Sequence, residues 1–350
     1  MPRYHIISIL SKIGHHSNYI EIVRNICPNY VDPSNNYLRD ILISFKNRRP
    51  TLFLMIETHP LAFLCSAIAG SMLKIPVVGL QFRPMEALGR NHWKHRAKGL
   101  LMRALRRLPN TSILTILPFR VEPRFEEIAS GWIYDFQLWD LKVLNRIDEH
   151  LAESLREKIR EAANGRKVII ALGALDRRKG FDYLAKLLAE SPRLKESFLI
   201  VAAGIVNAGS RTSATIFTAA GGLLVDRQLE DGELIGLYGC ADMIWSCYSP
   251  DTHLASGIYG RAFQLGVPTI VREHSMLDML AEDLGHATLG IPFDDVDTAA
   301  GRIVAWLPQR ANKEATAARV VSMMAWSRQV LSDALSGIRH PIHFRESESE

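Results

Sequence analysis

The chain has 350 residues, of which 47% are apolar, and a formal net charge of +5. This length can bury two hydrophobic cores of about 150 residues each, so we expect two domains. The sequence has no run of eighteen or more apolar residues, so no membrane span is predicted. The first residues lack the layout of a signal peptide, and a cytoplasmic protein is therefore expected. The four cysteines form no Cys-x-x-Cys pair and are expected to be reduced.

Short apolar runs alternate with helical patterns through the first half of the chain. Strands are predicted at 4–10, 51–56, 76–81, 112–117 and 133–141, and helices at 18–26, 37–46, 61–73 and 91–108. This alternation is typical of a parallel sheet that carries helices on both faces.

A polar helix predicted at 148–163 ends at Asn164-Gly165, which indicates a domain boundary near residue 160. The alternation then restarts, with strands at 167–172, 198–203, 222–225, 243–247 and 268–272 and helices at 180–189, 231–240 and 258–265. The predicted fold is therefore α/β, with two doubly wound, Rossmann-like parallel-sheet domains at 1–160 and 161–312. A helix at 313–336 is expected to pack back toward the first domain, before a tail at 337–350.

A basic turn follows the strand at 167–172. It begins at Gly173 and ends at Gly180, and its three cations Arg177, Arg178 and Lys179 lie where the next helix starts. Because the start of a helix is the positive end of its dipole, clustered cations there favour an anionic ligand. A solvated basic turn explains the same residues without a ligand.

A second loop precedes the predicted helix at 258–265. Ser256 and Gly257 are suited to cap this helix and leave backbone N–H groups for a phosphate, and Arg261 follows one turn later. Taken alone, the pattern is that of an ordinary capped helix.

Together the two loops resemble the C-terminal domain of the GT-B retaining glycosyltransferases of family four. The resemblance runs from Gly173 to about residue 300, and Ala262 with the Leu265–Pro268 stretch is similar to the family's Glu-Ala-x-Ala-x-Gly-x-Pro helix end. It implies two domains that face a cleft. The donor-binding residues that it implies are Gly173, Arg178, Lys179, Asp226, His253, Ser256, Gly257, Tyr259, Gly260 and Arg261.

The chain also departs from the family pattern. Two family glutamates, separated by seven residues, fall on His253 and Arg261, and the arginine after the first glycine of the turn falls on Ala174. Arg177, Arg178 and Arg261 are available to neutralise a diphosphate instead. We therefore expect a divergent member. The alternative is a catalytically inactive protein of the same fold that binds a sugar nucleotide or a partner subunit.

Four residues of the first half are candidate catalytic groups. Glu57 and His59 end the second predicted strand, and His16 follows the first, where imidazole and carboxylate suit proton transfer. Arg83 stands where relatives keep a histidine after the third strand. Each of the two histidines also fits an ordinary core role.

A basic segment lies between Glu86 and Glu122, which encloses eight Lys or Arg and no acidic residue. Its helix carries a membrane or acceptor surface under one interpretation, with Trp93, Lys94, Lys98, Arg103, Arg106 and Arg107 meeting anionic headgroups. Under the other, its apolar stripe is ordinary core. Nucleic-acid binding is not expected, because aromatic residues are not interleaved with the basic ones.

The resemblance implies transfer of a sugar, as by a hexosyltransferase, from a nucleotide-diphosphate donor to a carbohydrate or lipid-linked acceptor in surface or exopolysaccharide assembly. Retention at the anomeric carbon is implied by the family alone. We expect no cofactor besides the donor substrate and no metal, since Asp295-Val296-Asp297 precedes a helix that it would cap. The expected location is the cytoplasm or the inner face of the plasma membrane.

Overall fold

The computed structural model describes residues 3–7, 16–34, 36–89, 93–139, 149–252, 255–307 and 310–338. These residues form two compact units. The first contains the described residues up to Phe136 together with those from Val321, and the second is Gln137–Val320.

The first unit is built on a parallel sheet. Its strands are β1 (Tyr4–Ile7), β2 (Tyr30–Val31), β3 (Thr51–Phe53), β4 (Val77–Gln81), β5 (Thr111–Thr115) and β6 (Gly131–Trp132), and its helices are α1 (His16–Ile26), α2 (Tyr37–Lys46), α3 (Pro60–Leu73), α4 (Pro84–Leu88) and α5 (Trp93–Leu105). The strand order is β2-β1-β3-β4-β5-β6, and every pair is parallel. Residues of β1, β3, β4 and β5 are buried, as expected for a sheet covered on both faces.

The second unit has the same plan. Its strands are β7 (Lys167–Leu172), β8 (Phe198–Gly204), β9 (Leu223–Asp226), β10 (Met243–Ser246), β11 (Thr269–Arg272) and β12 (Thr288–Ile291). Its helices are α6 (Glu149–Ala163), α7 (Phe181–Glu190), α8 (Pro192–Ser197), α9 (Arg211–Ala219), α10 (Asp231–Cys240), α11 (Gly257–Gln264), α12 (Met276–Leu284) and α13 (Val296–Ala305). The strand order is β12-β11-β10-β7-β8-β9, again all parallel.

Alternate residues of β7 supply two hydrophobic cores, one on each face of the second sheet. Ile169 and Ala171 pack in a core with α7, α9 and α13. Val168, Ile170 and Leu172 pack in another with α6, α10 and α11. The side chains of a strand point alternately to opposite faces, so helices cover both sides of the sheet. The predicted α/β fold with two doubly wound parallel sheets is confirmed.

The division between the units differs from the predicted boundary at 160. It lies at residue 137, because α6 belongs to the second unit. Ile159 and Ala163 of this helix are buried in one core with Leu237 and Tyr238 of α10. The many charged residues of α6 lie on its solvated face. They make the helix look like a linker in the sequence, although its other face packs in the core of the second unit.

The last helix, α14 (Lys313–Leu335), crosses from the second unit into the first. Trp326 lies against Trp132 with ring centroids 5.1 Å apart. Ser327 Oγ accepts a hydrogen bond of 3.1 Å from the backbone N of Tyr134. From Val321 onward this helix is part of the first unit's core, where Leu331 and Leu335 are fully buried.

The strand predicted at 133–141 is wrong. The strand there is β6, which ends at Trp132, and a 3₁₀ turn follows at Phe136–Leu138. The alternating apolar residues are buried because α14 packs on them from far along the chain, rather than because they extend a sheet. No helix of the described ranges combines the length and apolarity that a bilayer crossing requires.

Candidate functional site

Each sheet has one switch point, where successive strands are added in opposite directions. In the second unit it lies between β7 and β10, and in the first between β1 and β3. Open α/β sheets bind ligands at the carboxyl ends of the strands at such points. The basic turn after β7 and the loop after β10 therefore meet where a ligand is expected. The segment after β1, residues 8–15, lies outside the described residues.

Two glycines allow the basic turn to approach the loop after β10. Gly173 and Gly180 have φ values of +86° and +73°, which glycine adopts without strain. A Cβ built on Gly180 would lie 1.9 Å from the carbonyl oxygen of Cys247. Gly180 is thus required both for its conformation and for the contact between the two loops.

Hydrogen bonds join the same two loops. The carbonyl oxygen of Arg178 accepts from Ser249 N at 3.1 Å and from Thr252 Oγ1 at 3.1 Å. The backbone of Arg178 therefore links the two loops. Its side chain is 78% exposed, so the guanidinium can contact a ligand.

A buried carboxylate shapes the basic turn from within. Asp176 is 7% exposed. It accepts from Lys179 N at 2.9 Å, from Asn207 Nδ2 at 2.9 Å and from the Arg178 guanidinium at 3.3 Å. The turn is therefore also fixed to the segment after β8. The sequence shows Asp176 as one more charge of a basic turn and does not reveal its role.

The Lys179 side chain is linked to the start of α11 by contacts through Tyr248 and Ser256. Its Nζ lies 4.1 Å from the ring centroid of Tyr248, which is within the range of a cation–π contact. The Tyr248 hydroxyl lies 2.6 Å from Ser256 Oγ, and Ser256 Oγ accepts from Tyr259 N at 3.3 Å as the N-cap of α11. A cation and a capped helix start are thus held as one assembly. Tyr248 was not predicted as a site residue, and it lies between the strand predicted at 243–247 and the loop that the sequence singled out.

The glycines at the start of α11 have a packing role. A Cβ on Gly257 would lie 2.0 Å from Gln137 Oε1, and a Cβ on Gly260 would lie 2.8 Å from the Gln137 carbonyl oxygen. Gln137 therefore packs against both glycines at the first turn of α11. The Tyr259 side chain is fully buried and meets His286 edge to face, so of this residue only the backbone lies at the helix start.

Other predicted donor residues have partners within the protein. Arg261 donates to Gln264 Oε1 at 2.6 Å. Asp226 accepts from Val206 N at 2.8 Å and from the Arg211 guanidinium, and these bonds lower its pKa, with the backbone bond first. Asp226 thus orders the segment after β8. His253 lies outside the described residues.

In the first unit, Glu57 and Arg83 are brought together at the carboxyl ends of β3 and β4. Glu57 lies in the 3₁₀ turn Ile56–Thr58, and its Oε1 accepts from Arg83 N at 2.6 Å. Burial raises the pKa of Glu57, and the bond from Arg83 only partly offsets this effect. The exposed Arg83 guanidinium lies 3.6 Å from Glu86 Oε1.

His59 precedes α3 beside these residues. Its ring stacks on Tyr37 with centroids 4.2 Å apart, and burial lowers its pKa, so that the neutral imidazole is favoured. His16 is the first residue of α1 at the other strand of the switch point, and its side chain lies outside the described residues.

Several buried polar atoms at this edge have no hydrogen-bond partner among the described residues. They are Glu57 Oε2, His59 Nε2 and both atoms of the Gln81 amide. Gln81 ends β4 and is fully buried. Since buried polar atoms are nearly always hydrogen-bonded, this edge has bonding capacity that a polar ligand would use.

The basic helix α5 is partly neutralised by carboxylates from outside its own segment. Lys98 Nζ donates to Glu86 at 2.8 Å, and Arg103 donates to Glu127 at 2.5 and 3.2 Å. Trp93 is 71% exposed with Lys94 Nζ 5.9 Å from its ring, and Arg107 is exposed while Arg106 is half-buried. The exposed cations of α5 are thus fewer than the sequence indicates.

Within the described ranges no group of three His, Cys, Asp or Glu is arranged to hold a metal ion. Asp295 Oδ1 accepts from Thr298 N at 3.1 Å and caps α13, as expected from its place before a helix.

Comparisons with known proteins identify the fold. No protein-family model and no curated protein sequence matches the chain. The structure of Anabaena Alr3699/HepE in complex with UDP matches with a TM-score of 0.66 at 13% identity, covering 95% of this chain and 100% of that one. A glycosyltransferase from Rickettsia africae matches with 0.63 at 12%, covering 95% and 98%. WaaG, a glycosyltransferase of lipopolysaccharide biosynthesis, matches with 0.54 at 12%, covering 96% and 100%. The chain therefore has the GT-B fold of these glycosyltransferases.

Proposed function

We propose that this protein is a glycosyltransferase that transfers a sugar from a nucleotide-diphosphate donor to a carbohydrate or lipid-linked acceptor. One observation carries the proposal, namely the assembly of Lys179, Tyr248 and Ser256 at the start of α11. It places a cation beside the positive end of a helix dipole at a switch point, and this is an arrangement suited to a diphosphate.

The diphosphate is the group that this site would stabilise during the reaction. The acceptor hydroxyl oxygen forms a bond to the anomeric carbon and gives its proton to an oxygen of the leaving diphosphate, while the bond from that carbon to the donor phosphate breaks. The leaving diphosphate takes the electron pair. Lys179, the exposed Arg178 and the N–H groups that begin α11 would stabilise that charge, and as positioned dipoles and charges they need no metal.

UDP is the nucleotide to test first. Anabaena HepE has been crystallised with UDP and with UDP and glucose, and it shares the fold of this chain. Retention at the anomeric carbon and a place in surface or exopolysaccharide assembly belong to the same proposal. They rest on the resemblance of the second unit to family four.

The acceptor side would be the first unit. Glu57, His59, His16 and Arg83 are its proposed catalytic-region residues, supported by the raised pKa of Glu57 and the neutral His59 imidazole. The unpartnered Gln81 amide suits a sugar hydroxyl. Trp93 and Lys94 of α5, with Arg107 in the turn after it, would meet a lipid-linked acceptor at the inner face of the plasma membrane.

A second candidate is a protein of the same fold that binds a sugar nucleotide without turnover. The bond between Arg261 and Gln264 favours it, because the residue at a family glutamate position is engaged within its own helix. The two candidates share the diphosphate site and differ only in whether product forms.

Calorimetric titration with a panel of UDP-, GDP- and ADP-sugars tests the proposal. We expect at least one donor to bind, and Lys179→Ala to weaken it by about tenfold or more, since a hydrogen bond to a charged group contributes about 1.5–3 kcal/mol. Lys186→Ala is the matched control, because Lys186 is an exposed lysine of α7. Binding by no donor would sink the transferase proposal. Binding without product from any offered acceptor would favour the second candidate.

A further inference from the structure

Helices α2 and α3 of the first unit expose an apolar face. Leu38, Leu42, Leu61, Ile68 and Met72 are 55%, 71%, 73%, 47% and 78% exposed, and Cys65 is exposed among them. Leu61, Cys65, Ile68 and Met72 follow helical spacing along one side of α3, and α2 packs beside α3. These six residues are called the α2–α3 face.

This face reverses the usual pattern of a surface helix. The fourteen residues of α3 include no charged residue, so its solvent side is as apolar as its core side. A soluble helix normally turns charged or polar residues outward, and contiguous exposed apolar surface marks an interaction site.

Positive charge borders the face, and no exposed acidic residue lies in the stretch 36–85 that contains it. Arg39, Lys46, Arg48 and Lys74 are exposed, and none of them has an ion pair among the described residues. The acidic residues of the stretch 36–85 are Asp40 and Glu57. Asp40 is buried and accepts from Ser34, and Glu57 accepts from Arg83.

The topology gathers three of these cations at one edge. α2 leads into β3 and α3 leads into β4, and these two strands are parallel neighbours. Both helices therefore end at the same edge of the sheet, with Lys46 in the last turn of α2, Arg48 just after it and Lys74 just after α3. An apolar face with a basic border at one edge is thus built by the fold.

Helix α5 belongs to the same layer. The crossovers β2–α2–β3, β3–α3–β4 and β4–α5–β5 all move in one direction along the sheet. Since such crossovers are right-handed, the three helices lie on one side of it. The exposed Trp93 and Leu100 of α5 therefore extend the apolar surface of this layer.

We propose that the α2–α3 face docks on an anionic lipid bilayer, with its apolar side chains in the headgroup boundary and Lys46, Arg48 and Lys74 on acidic headgroups. A second copy of the chain fits less well, because a symmetric contact through this face would place the same unpaired cations on both sides. The proposal is independent of the transferase activity, since docking requires neither donor nor turnover.

Vesicle flotation of the full chain tests the proposal. Vesicles of phosphatidylcholine with about one third phosphatidylglycerol should carry the protein, and pure phosphatidylcholine should not. Combining Leu42→Ser, Leu61→Ser and Met72→Ser should weaken binding by roughly a hundredfold. Combining Lys46→Gln, Arg48→Gln and Lys74→Gln should have a similar effect at low salt, at about fivefold per charge.

The matched control combines Ile216→Ser, Leu307→Ser and Val321→Ser, three residues that are 44%, 75% and 54% exposed elsewhere. It should float as the wild type does, and thermal unfolding should show that every variant is folded. The proposal is overturned if anionic vesicles do not bind the wild type, or if Trp93→Ser with Leu100→Ser abolishes binding while the α2–α3 variants retain it. It is also overturned if the face instead sustains a dimer in lipid-free solution that the serine variants dissociate.

Discussion

The two switch points have the same topology but differ in how their polar groups are used. In the second unit, the segments after β7, β8 and β10 are joined by hydrogen bonds that the Asp176 carboxylate and the Arg178 carbonyl oxygen accept. In the first unit, Glu57, His59 and Gln81 keep buried polar atoms without a partner among the described residues. Under the proposed function, the second unit would hold a preorganised donor site and the first an edge whose hydrogen bonds a ligand would complete.

Replacing Gly180 should cause the largest loss of stability and of UDP binding in the second unit. In Gly180→Ala the new Cβ meets the Cys247 carbonyl oxygen, and the left-handed backbone is strained as well. Together these effects should lower the free energy of unfolding by about 3 kcal/mol and weaken UDP binding.

Urea unfolding and calorimetry measure both effects. Gly239→Ala is the control, because a Cβ added to Gly239 would meet nothing within 4 Å and this glycine is inside α10. It should leave UDP binding unchanged and raise stability slightly. Equal behaviour of the two variants would contradict the close contact between the loops.

Asp176→Asn should have the next largest effect. The new amide would place a donor against the Asn207 side chain and remove the charge that holds Lys179 N, at a cost of about 2 kcal/mol of stability. UDP affinity should fall because the turn loosens. Asp251→Asn, at an exposed neighbouring carboxylate, is the control and should change neither quantity. A stable Asp176→Asn that binds UDP normally would show that the turn does not depend on this carboxylate.

Tyr248 variants should separate the ring from the hydroxyl. Tyr248→Phe keeps the surface that faces Lys179 and loses the bond to Ser256, whereas Tyr248→Leu loses both. Because a cation–π contact contributes about 1 kcal/mol, UDP should bind about fivefold more weakly to the Leu variant than to the Phe variant. Identical dissociation constants for the two would exclude a role for the ring.

The stability of the first unit should depend on pH because of the buried Glu57 carboxyl group. The raised pKa of Glu57 means that its contribution to stability is complete below about pH 4.5 and is lost as pH rises through the folded-state pKa. Glu57→Gln cannot ionise, so its stability relative to wild type should rise over that range.

Glu86→Gln should change the pH dependence of stability in the opposite direction to Glu57→Gln. Burial raises the pKa of Glu86, but the bond from Lys98 and nearby cations outweigh it, so that the pKa is lowered overall. This carboxylate stabilises the fold above its unfolded pKa, and Glu86→Gln should lose stability relative to wild type as pH rises. Urea unfolding from about pH 2.5 to 8 compares the two, since the Glu86 effect lies below about pH 4.5 and the Glu57 effect above it. Parallel pH profiles would contradict the difference in their surroundings.

The sequence predicted elements whose local pattern agrees with the fold and missed those that depend on distant contacts. The limits of α2 and α10 were predicted, and each helix has a side-chain cap at its start, Asn36 for α2 and the Glu230–Glu233 capping box for α10. Helix α9 was missed because its Thr- and Ser-rich sequence has weak helical propensity and buries only Ala214 and Phe217. The wrong strand at 133–141 and the shifted boundary both reflect packing by helices that lie elsewhere in the chain.

The two loops of the candidate site were predicted from the sequence, but the contacts that connect them were not. The loops containing Lys179 and Ser256 could be found because they follow strands and precede helices. Their connection could not, because it passes through the ring of Tyr248 and the buried Asp176, whose roles depend on the closure of three loops. The packing of Gly257 and Gly260 against Gln137 could not be predicted either, because Gln137 is far from them in the chain.

The most direct test of the donor site is the affinity for UDP relative to uridine, measured by calorimetry for wild type and Lys179→Ala. The difference between these ligands isolates the diphosphate, which Lys179 and the start of α11 are proposed to hold. We expect wild type to prefer UDP by about a hundredfold or more, and Lys179→Ala to lose about tenfold of that preference with uridine binding unchanged. An undiminished preference in Lys179→Ala would contradict the account.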